Sequence, residues 1–292
     1  MPVKQKGAKM KFETITYEKE GPLAWITLNR PEKLNAITQP MVTELLLATD
    51  KAQCDDEVRV IVLKGEGRAF SAGFDLETED DPDLDEDEKL QQLKAELHND
   101  FELIMRFWHS PKPTIAAVHT YCLGGAMEMA VACDITIAAA GCRFGEPEVK
   151  FGSGAVAMIL PYICGPKRAK EILLTGNDRI SSEQAESWGL INRVVKPENL
   201  LVRAREIALS IARNDQLAVR ITKQEINQTY EFGKMRNALK HALELDIAIE
   251  STETEESRQF NEILRKEGAK AAIEGRDRQH GITGQVKRHE LG

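Results

Sequence analysis

Short apolar runs that alternate with helical patterns constrain this fold more than any other feature of the sequence. Residues 58–63, 114–118 and 135–139 are compact runs rich in Val, Ile and Ala, as in strands buried on both faces of a sheet. Helical spacing of apolar residues occurs in between, over residues 41–52, 90–108 and 125–133. Such alternation is typical of α/β proteins with a parallel sheet.

Two further patterns complete the predicted architecture. β-forming residues over 12–19 and 23–28 flank the turn Glu20-Gly21-Pro22 and predict an opening hairpin. Beyond residue 166 the pattern is helical, with segments near 166–174, 181–188, 198–213, 216–230, 234–250 and 254–268. We therefore expect a core over residues 12–200, a helical C-terminal region over residues 201–270, and flexible tails over residues 1–11 and 271–292.

Charge and composition argue against several function classes. The 292 residues include 39 Lys and Arg against 47 Asp and Glu, and this net charge of −8 argues against a nucleic-acid partner. The uncharged stretches are too short or too interrupted for a spanning helix of about 20 residues, so no membrane segment is expected. The five cysteines show no paired spacing, which favours reduced thiols and a cytoplasmic location. The histidines show no metal-ligand spacing, so no metal site is predicted.

One carboxylate stands alone in an apolar stretch. Glu128 is the only formally charged residue between Pro113 and Cys133. A carboxyl buried without a cation has a raised pKa and can exchange protons near neutral pH, whereas a distant arginine or backbone donors would give it a structural role. Burial alone leaves both roles open. Gly124 and Gly125 precede a helical run, where unpaired N–H groups stabilise negative charge, so an oxyanion is expected there.

Three other features contain candidate site residues or loops. Glu146 and Glu148 would share one face of an extended backbone, and spacing alone does not choose between them or against a solvated carboxylate paired to Lys150. Residues 67–76 follow the first predicted buried strand, and their small side chains allow backbone to approach a ligand or simply form a tight turn. Residues 77–88 are almost entirely acidic and predict a solvated loop.

These stretches together resemble the crotonase family, also called the enoyl-CoA hydratase/isomerase superfamily. The matching motifs lie in order between residues 12 and 270: LNRPEKLNA (28–36), AFSAGFDL (69–76), KPTIAAV (112–118), LGGAME (123–128), CD (133–134), FGEPE (144–148) and LTGNDRI (174–180). So many motifs in order are specific for the superfamily but not for one reaction within it. The resemblance implies a spiral of repeated ββα units and an acyl-CoA-binding catalytic core over residues 12–200.

The resemblance also implies roles for particular residues. Two backbone amides of the family bind the thioester oxygen of acyl-CoA, and they correspond to Phe74 and Gly125. The two catalytic carboxylates of its hydratases correspond to Glu128 and Glu148, so the resemblance selects Glu148 over Glu146. Lys33 matches a position near the CoA phosphates. The remaining residues expected to bind substrate are Ala36, Ala72, Asp75, Leu76 and Gly124.

Two departures from the family pattern predict a different acyl pocket. After Glu148 the chain reads FGSGAVAM (151–158), where family hydratases have a loop like LGxxPGxGGT. Phe74 replaces the small residue that is common after the glycine of the SAG turn. Its ring is therefore expected to narrow or redirect the acyl channel.

The reaction implied by the resemblance is hydration of an enoyl-CoA, or its reverse, with an acyl-CoA thioester as substrate and no cofactor beyond its CoA. Isomerisation of the double bond, which needs one carboxylate, is the nearest alternative, followed by a lyase or hydrolase reaction on a decorated acyl-CoA. A crotonase-like protein without activity, acting as a binding or RNA-associated protein, is a further alternative, although both carboxylates are retained.

The family also implies a homotrimer or a dimer of trimers. We expect residues 234–268 to mediate this association, because Leu239, Leu243, Ile247, Phe260 and Ile263 have helical spacing. We also expect the acidic run 77–88 and the following helix to form a mobile cover over the acyl channel.

Overall fold

The computed structural model describes residues 11–77, 84–231, 233 and 235–279. Its strands are β1 (Ile15–Glu20), β2 (Leu23–Leu28), β3 (Val60–Gly65), β4 (Thr114–Val118), β5 (Tyr121–Leu123), β6 (Ile135–Ala139), β7 (Arg143–Gly145), β8 (Ile180–Ser181) and β9 (Arg193–Val195). Its helices are α1 (Gln39–Cys54), α2 (Glu86–His109), α3 (Gly125–Ala132), α4 (Leu160–Ile163), α5 (Gly165–Thr175), α6 (Ser182–Ser187), α7 (Leu200–Ala212), α8 (Gln216–Glu231), α9 (Met235–Glu250) and α10 (Glu255–Gln279). Within these ranges, no helix combines the length and the apolar character needed to cross a bilayer.

The strands form two sheets. The larger has the order β1-β2-β3-β4-β6-β9, and all its neighbours pair in parallel except the hairpin of β1 and β2. The smaller has the order β5-β7-β8. Because β5 follows directly on β4 and β7 follows directly on β6, the chain passes twice from the larger sheet to the smaller one. The predicted α/β class and opening hairpin are confirmed.

An apolar core lies on each face of the larger sheet. Ile61 and Leu63 of β3 face a core shared with α1, α2 and α3, whereas Val60 and Val62 face the opposite side. This alternation follows from the two-residue period of a strand and explains the unbroken apolar run in the sequence. The second side is covered by one face of α7, formed by Leu200, Ala204, Ala208 and Ala212. The region beyond residue 200 therefore shares its core with the residues before it.

A capping box begins α2 within the predicted acidic loop. Asp85 Oδ1 accepts a hydrogen bond from the Glu88 N–H at 2.9 Å, and Glu88 Oε2 accepts one from the Asp85 N–H at 3.0 Å. The prediction of a loop through residue 88 is wrong for residues 86–88, because acidic side chains stabilise the unpaired N–H groups of a helix start. Residues 78–83 of the predicted cover lie outside the described residues.

The C-terminal helix is longer than the sequence pattern predicts. α10 continues to residue 279, so the prediction of a flexible tail is wrong for residues 271–279. Ala272 and Arg276 of this segment are buried, so the segment packs against the rest of the protein although it is rich in polar residues. Gly268 has non-helical dihedral angles (φ 83°, ψ 170°), so α10 consists of two helical parts. Residues 1–10 and 280–292 of the predicted tails lie outside the described residues.

Candidate active site

A cavity of about 600 Å³ lies where the segments following β3, β5 and β7 meet, with α2 and α10 at its sides. Hydrogen-bond register brings these three segments together. Ser71 forms a parallel bridge with Cys122, and Leu123 of β5 pairs with Gly145 of β7. The segments that follow β3, β5 and β7 therefore lie side by side at the cavity.

The first two segments approach each other closely because position 73 is a glycine. Gly73 has φ 97°, and a Cβ on it would lie 2.7 Å from the carbonyl oxygen of Leu123. Both the dihedral angle and the contact exclude a larger residue. The glycine thus allows the turn after β3 to lie against the end of β5.

Two backbone N–H groups lie beside this contact. The amides of Phe74 and Gly125 donate no hydrogen bond to any part of the protein that the structure describes, whereas the neighbouring Gly124 N–H donates to the Gly145 carbonyl at 2.8 Å. Gly125 also begins α3, where the helix dipole favours negative charge. Since Phe74 and Gly125 line the same cavity, they form a candidate oxyanion hole.

The Phe74 side chain narrows the cavity beside this amide pair. Its ring lies so close to Gly125 that a side chain at position 125 would overlap it. The phenyl ring is therefore part of the wall next to the candidate oxyanion hole, where the sequence departs from the family pattern.

The Glu128 carboxyl is buried at the first turn of α3. The residue is 1% exposed, and its Oε1 accepts a hydrogen bond from the Ala157 N–H at 2.9 Å. Burial raises the pKa of Glu128 well above its ordinary value, and the charge of Glu148 raises it further against the Ala157 hydrogen bond. The Glu128 carboxyl also lines the cavity.

Glu148 begins a 3-10 turn (Glu148–Phe151) after β7 and also lines the cavity. Within the described ranges its Oε2 is buried without a hydrogen-bond donor. Burial is the main cause that raises the pKa of Glu148 to about 7. Gly124, which the sequence places in the substrate site, is absent from the cavity wall but lies against Glu148 Oε1.

Glu146 is buried beneath this site and does not line the cavity. Burial raises the pKa of Glu146 well above its ordinary value, and the charges of Glu148 and Glu128 add to this effect. Neither of the Glu146 carboxyl oxygens has a hydrogen-bond partner among the described residues. The solvated pairing with Lys150 that the sequence left open is wrong, because Lys150 pairs with Asp178 at 3.4 Å.

Two further carboxyls reach this region from α9, and the sequence reasoning missed both. Glu250 lines the cavity and accepts a hydrogen bond from the Ser153 hydroxyl. Asp246 is buried against Gly154, and neither of its oxygens has a donor among the described residues. Burial, with the charges of Glu250 and Glu148, raises the pKa of Asp246 to about 7. Ser153 and Gly154 belong to the segment that departs from the family pattern.

A third missed carboxyl lies on α2. Asp100 lines the cavity, is buried, and accepts a hydrogen bond from Gln39 Nε2 at 2.9 Å. Burial raises the pKa of Asp100 to about 7 against this hydrogen bond. The signal for such residues is an acid on the apolar side of a helical period, since Asp100 follows Leu97 by three residues and Asp246 follows Leu243 by three.

The structure brings most, but not all, of the predicted binding residues to the cavity. The residues that line it are Ala72, Phe74, Asp75, Leu76 and Gly125. Lys33 and Ala36 do not line it. The half-exposed Lys33 forms an ion pair with Glu77 at 2.6 Å. One nitrogen of Arg30 donates to the Ala36 carbonyl at 2.7 Å and to Asp75 at 2.8 Å, so it ties two of the predicted binding segments together.

Comparison with known sequences gives one consistent family. The family model for enoyl-CoA hydratase/isomerase matches residues 18–280. A probable mitochondrial enoyl-CoA hydratase of Dictyostelium discoideum is 38% identical over 228 residues, covering 75% of this chain and 77% of the relative. A short-chain-enoyl-CoA hydratase of Clostridium acetobutylicum is 35% identical over 223 residues, covering 75% of this chain and 83% of the relative.

Solved structures agree with the sequence relatives. The crystal structure of an enoyl-CoA hydratase/isomerase from Xanthobacter autotrophicus is 44% identical with a TM-score of 0.87, covering 92% of this chain and 99% of that chain. This similarity confirms the crotonase fold that the motifs predicted. The chain belongs to the enoyl-CoA hydratase/isomerase family of the crotonase superfamily.

Proposed function

We propose that the protein is an enoyl-CoA hydratase, which adds water to trans-2-enoyl-CoA to give 3-hydroxyacyl-CoA and catalyses the reverse reaction. One observation carries this proposal: two unpaired amides and two buried carboxyls of raised pKa line a single cavity. The names of the relatives from Dictyostelium and Clostridium support the same reaction class.

The amide pair provides the electrostatic part of catalysis. With the thioester oxygen between the Phe74 and Gly125 N–H groups, negative charge that develops on this oxygen meets two fixed donors. Such donors stabilise an enolate without reorganisation during the reaction, and removing one from other enzymes costs about 10² to 10³ in kcat. No cofactor beyond the CoA of the substrate is required for this step.

The carboxyl pair provides proton transfer. Glu128 accepts a proton from the attacking water, and Glu148 donates a proton to the α-carbon. The Ala157 N–H holds Glu128 Oε1 and leaves the other oxygen for the water. In the reverse direction, Glu148 removes the α-proton and Glu128 protonates the leaving hydroxyl group.

This chemistry requires the pair to share one proton. During hydration Glu148 gives up one proton and Glu128 gains one, so the number of protons on the pair does not change. Both directions therefore start from a singly protonated pair. The profile of kcat/KM against pH should therefore be bell-shaped and the same in both directions. The raised pKa values of Glu128 and Glu148 favour this protonation state near neutral pH.

The test begins with crotonyl-CoA. Loss of absorbance at the enoyl thioester band together with a product heavier by one water would support hydration. An isomerase would leave the mass of a 3-enoyl-CoA unchanged while moving its double bond. A protein that binds these thioesters without converting any of them would contradict the proposal and favour a non-catalytic binding protein.

Variants of the two carboxyls distinguish the remaining reactions. Glu128→Gln and Glu148→Gln should each lower kcat by at least about 10², because an amide keeps the size of the side chain but transfers no proton. The double variant should lose less than the sum of the two effects, since the carboxyls act as a unit. The exposed Glu198→Gln is the matched control and should keep full activity. A severe loss from Glu148→Gln with a mild one from Glu128→Gln would indicate an isomerase.

A further inference from the structure

The C-terminal helix holds the turn that presents Glu148. Phe260 of α10 stacks on Phe151 with ring centroids 5.1 Å apart. Gly152 has φ 83°, and a Cβ on it would lie 2.7 Å from Ser257 Cβ, so the turn and α10 are in close contact. Both contacts belong to the part of α10 before the break at Gly268.

The part of α10 after the break contributes a buried cation. The Arg276 side chain is 5% exposed, lines the cavity, and lies 5.9 Å from the centroid of the Phe151 ring. It pairs with Asp277 at 2.6 Å and with Asp178 at 3.5 Å. Asp178 in turn pairs with Lys150 of the Glu148 turn, so these ion pairs link the turn to the part of α10 after the break.

Acidic side chains outnumber basic ones among the groups that act electrostatically on Glu148. The charged groups that act on it are Glu146 from its own segment, Glu128 from α3, Asp246 and Glu250 from α9, and Arg276 from α10. Lys150 on the turn pairs with Asp178, which also pairs with Arg179 at 3.8 Å, and both Arg179 and Arg143 line the cavity. Arg276 lowers the pKa of Glu148 against burial and the charge of Glu250.

We propose that Arg276 is the positioning residue for Glu148: it fixes α10 against the turn that carries this carboxyl and supplies the positive charge that balances the surrounding acids. This inference rests on the proposed hydratase function. Its consequence is that the C-terminal segment, which the sequence pattern predicts to be a tail, sets the pH range in which the site works.

The test compares three variants over a range of pH. Arg276→Gln removes the charge, Arg276→Lys keeps it, and Arg278→Gln removes a charge from an exposed position on the same helix. In Arg276→Gln the bell-shaped profile of kcat/KM should move to higher pH, with a rate at least about threefold lower at about pH 6 and no lower at about pH 9. Arg276→Lys should restore most of the wild-type profile, and Arg278→Gln should match the wild type.

Other results would overturn the proposal. If Arg276→Gln raises KM equally at every pH and leaves the profile in place, Arg276 binds the CoA rather than positioning Glu148. If it lowers activity equally at every pH, its role is structural. Circular dichroism checks the fold of each variant, and Arg276→Lys keeps the comparison available if Arg276→Gln does not fold.

A titration independent of turnover separates this inference from the proposed function. In protein labelled with ¹³C at glutamate carboxyls, the Glu148 signal is assigned by its loss in Glu148→Gln, and its midpoint is followed in wild type and Arg276→Gln. A midpoint at least about half a pH unit higher in Arg276→Gln is expected, whatever the reaction catalysed. An unchanged midpoint would refute the role of Arg276 even in an active hydratase, whereas a shifted midpoint in a protein without hydratase activity would refute only the proposed function.

Discussion

The Gly124 residue leaves room for the Glu148 carboxylate. Its dihedral angles (φ 54°, ψ −137°) lie in a region that L-residues with a side chain rarely adopt. A Cβ at this position would also overlap Glu148 Oε1. The glycine is therefore needed for the backbone conformation and for the position of the Glu148 carboxyl.

Comparing alanine variants of Gly124 and of a second glycine with positive φ should separate the backbone effect from the effect on Glu148. Gly124→Ala should lower kcat by at least about 10², because the added methyl group displaces the Glu148 carboxyl, which is proposed to transfer a proton. Gly141→Ala is the matched control, since Gly141 also has positive φ (81°) but nothing within 4 Å of its Cβ position. It should lower the melting temperature and leave kcat unchanged. Equal kcat losses in the two variants would contradict the contact with Glu148.

At the scale of residues, the sequence predicts the cavity residues that lie within the matching motifs. It does not predict the cavity residues that distant helices contribute. Phe74, Gly125, Glu128 and Glu148 lie in contiguous motifs next to strand ends, and the resemblance of those motifs to the family, rather than residue type and spacing alone, singles them out. Arg276 lies in a polar segment with no motif, and only the three-dimensional packing of α10 brings it to the cavity.

Among the secondary-structure elements, α1 and α2 share a buried polar contact that makes stability depend on pH. Asp100 of α2, bonded to Gln39 of α1, has a pKa of about 7, raised mainly by burial. The folded protein therefore keeps a proton on Asp100 between about pH 4 and about pH 7, where the unfolded chain has lost it. Because the folded protein binds more protons than the unfolded chain over this range, its stability decreases as the pH rises.

Replacement of Asp100 should remove this dependence. When the pH is raised from about 5 to about 8, the free energy of unfolding should fall in the wild type. In Asp100→Asn this fall should be smaller by about 2 kcal/mol. Urea unfolding at both pH values provides the measurement. The exposed Asp87→Asn on the same helix should behave like the wild type. Identical pH dependence in wild type and Asp100→Asn would show that Asp100 ionises normally in the folded protein.

Long periodic elements were predictable, whereas the smaller sheet was not. β2, β4 and β6 have the predicted bounds because each is an unbroken run of β-forming or apolar residues. β5, β7 and β8 contain three residues or fewer, too short for any period to show. Their conformation comes from pairing between distant segments, which local propensity does not encode.

For the whole molecule, the structure argues against the self-association surface that the sequence places within residues 234–268. Leu239, Leu243, Ile247 and Phe260, which the sequence proposed for an interface, are buried within the chain. By contrast, α8 has no buried residue, and it exposes Leu217, Ile221 and Ile226. Leu217 and Ile221 are one turn apart on the same face, and adjacent exposed apolar residues are typical of an interaction surface. We therefore propose that α8 contributes to the oligomer implied by the family resemblance.

Sedimentation equilibrium at micromolar concentration tests this surface. The wild type should be oligomeric, and the double variant Leu217→Glu/Ile221→Glu should dissociate because it places two charges in the interface. Leu174→Glu is the control, since Leu174 is 75% exposed on α5. It should remain associated. A monomeric wild type would rule out self-association, and an oligomeric double variant would rule out α8 as its surface.

The pairing of β5 with β7 also determines where the chain tolerates insertions and deletions. Since this register sets Gly124 and Gly125 beside Glu148, one residue added or removed within either strand would displace the third segment by about 3.3 Å and reverse its side chains. The same change between α7 and α8 lies outside the paired segments and leaves that alignment intact. Length variation among related chains should therefore concentrate in the helical connections, while the short strands of the smaller sheet keep a constant residue count.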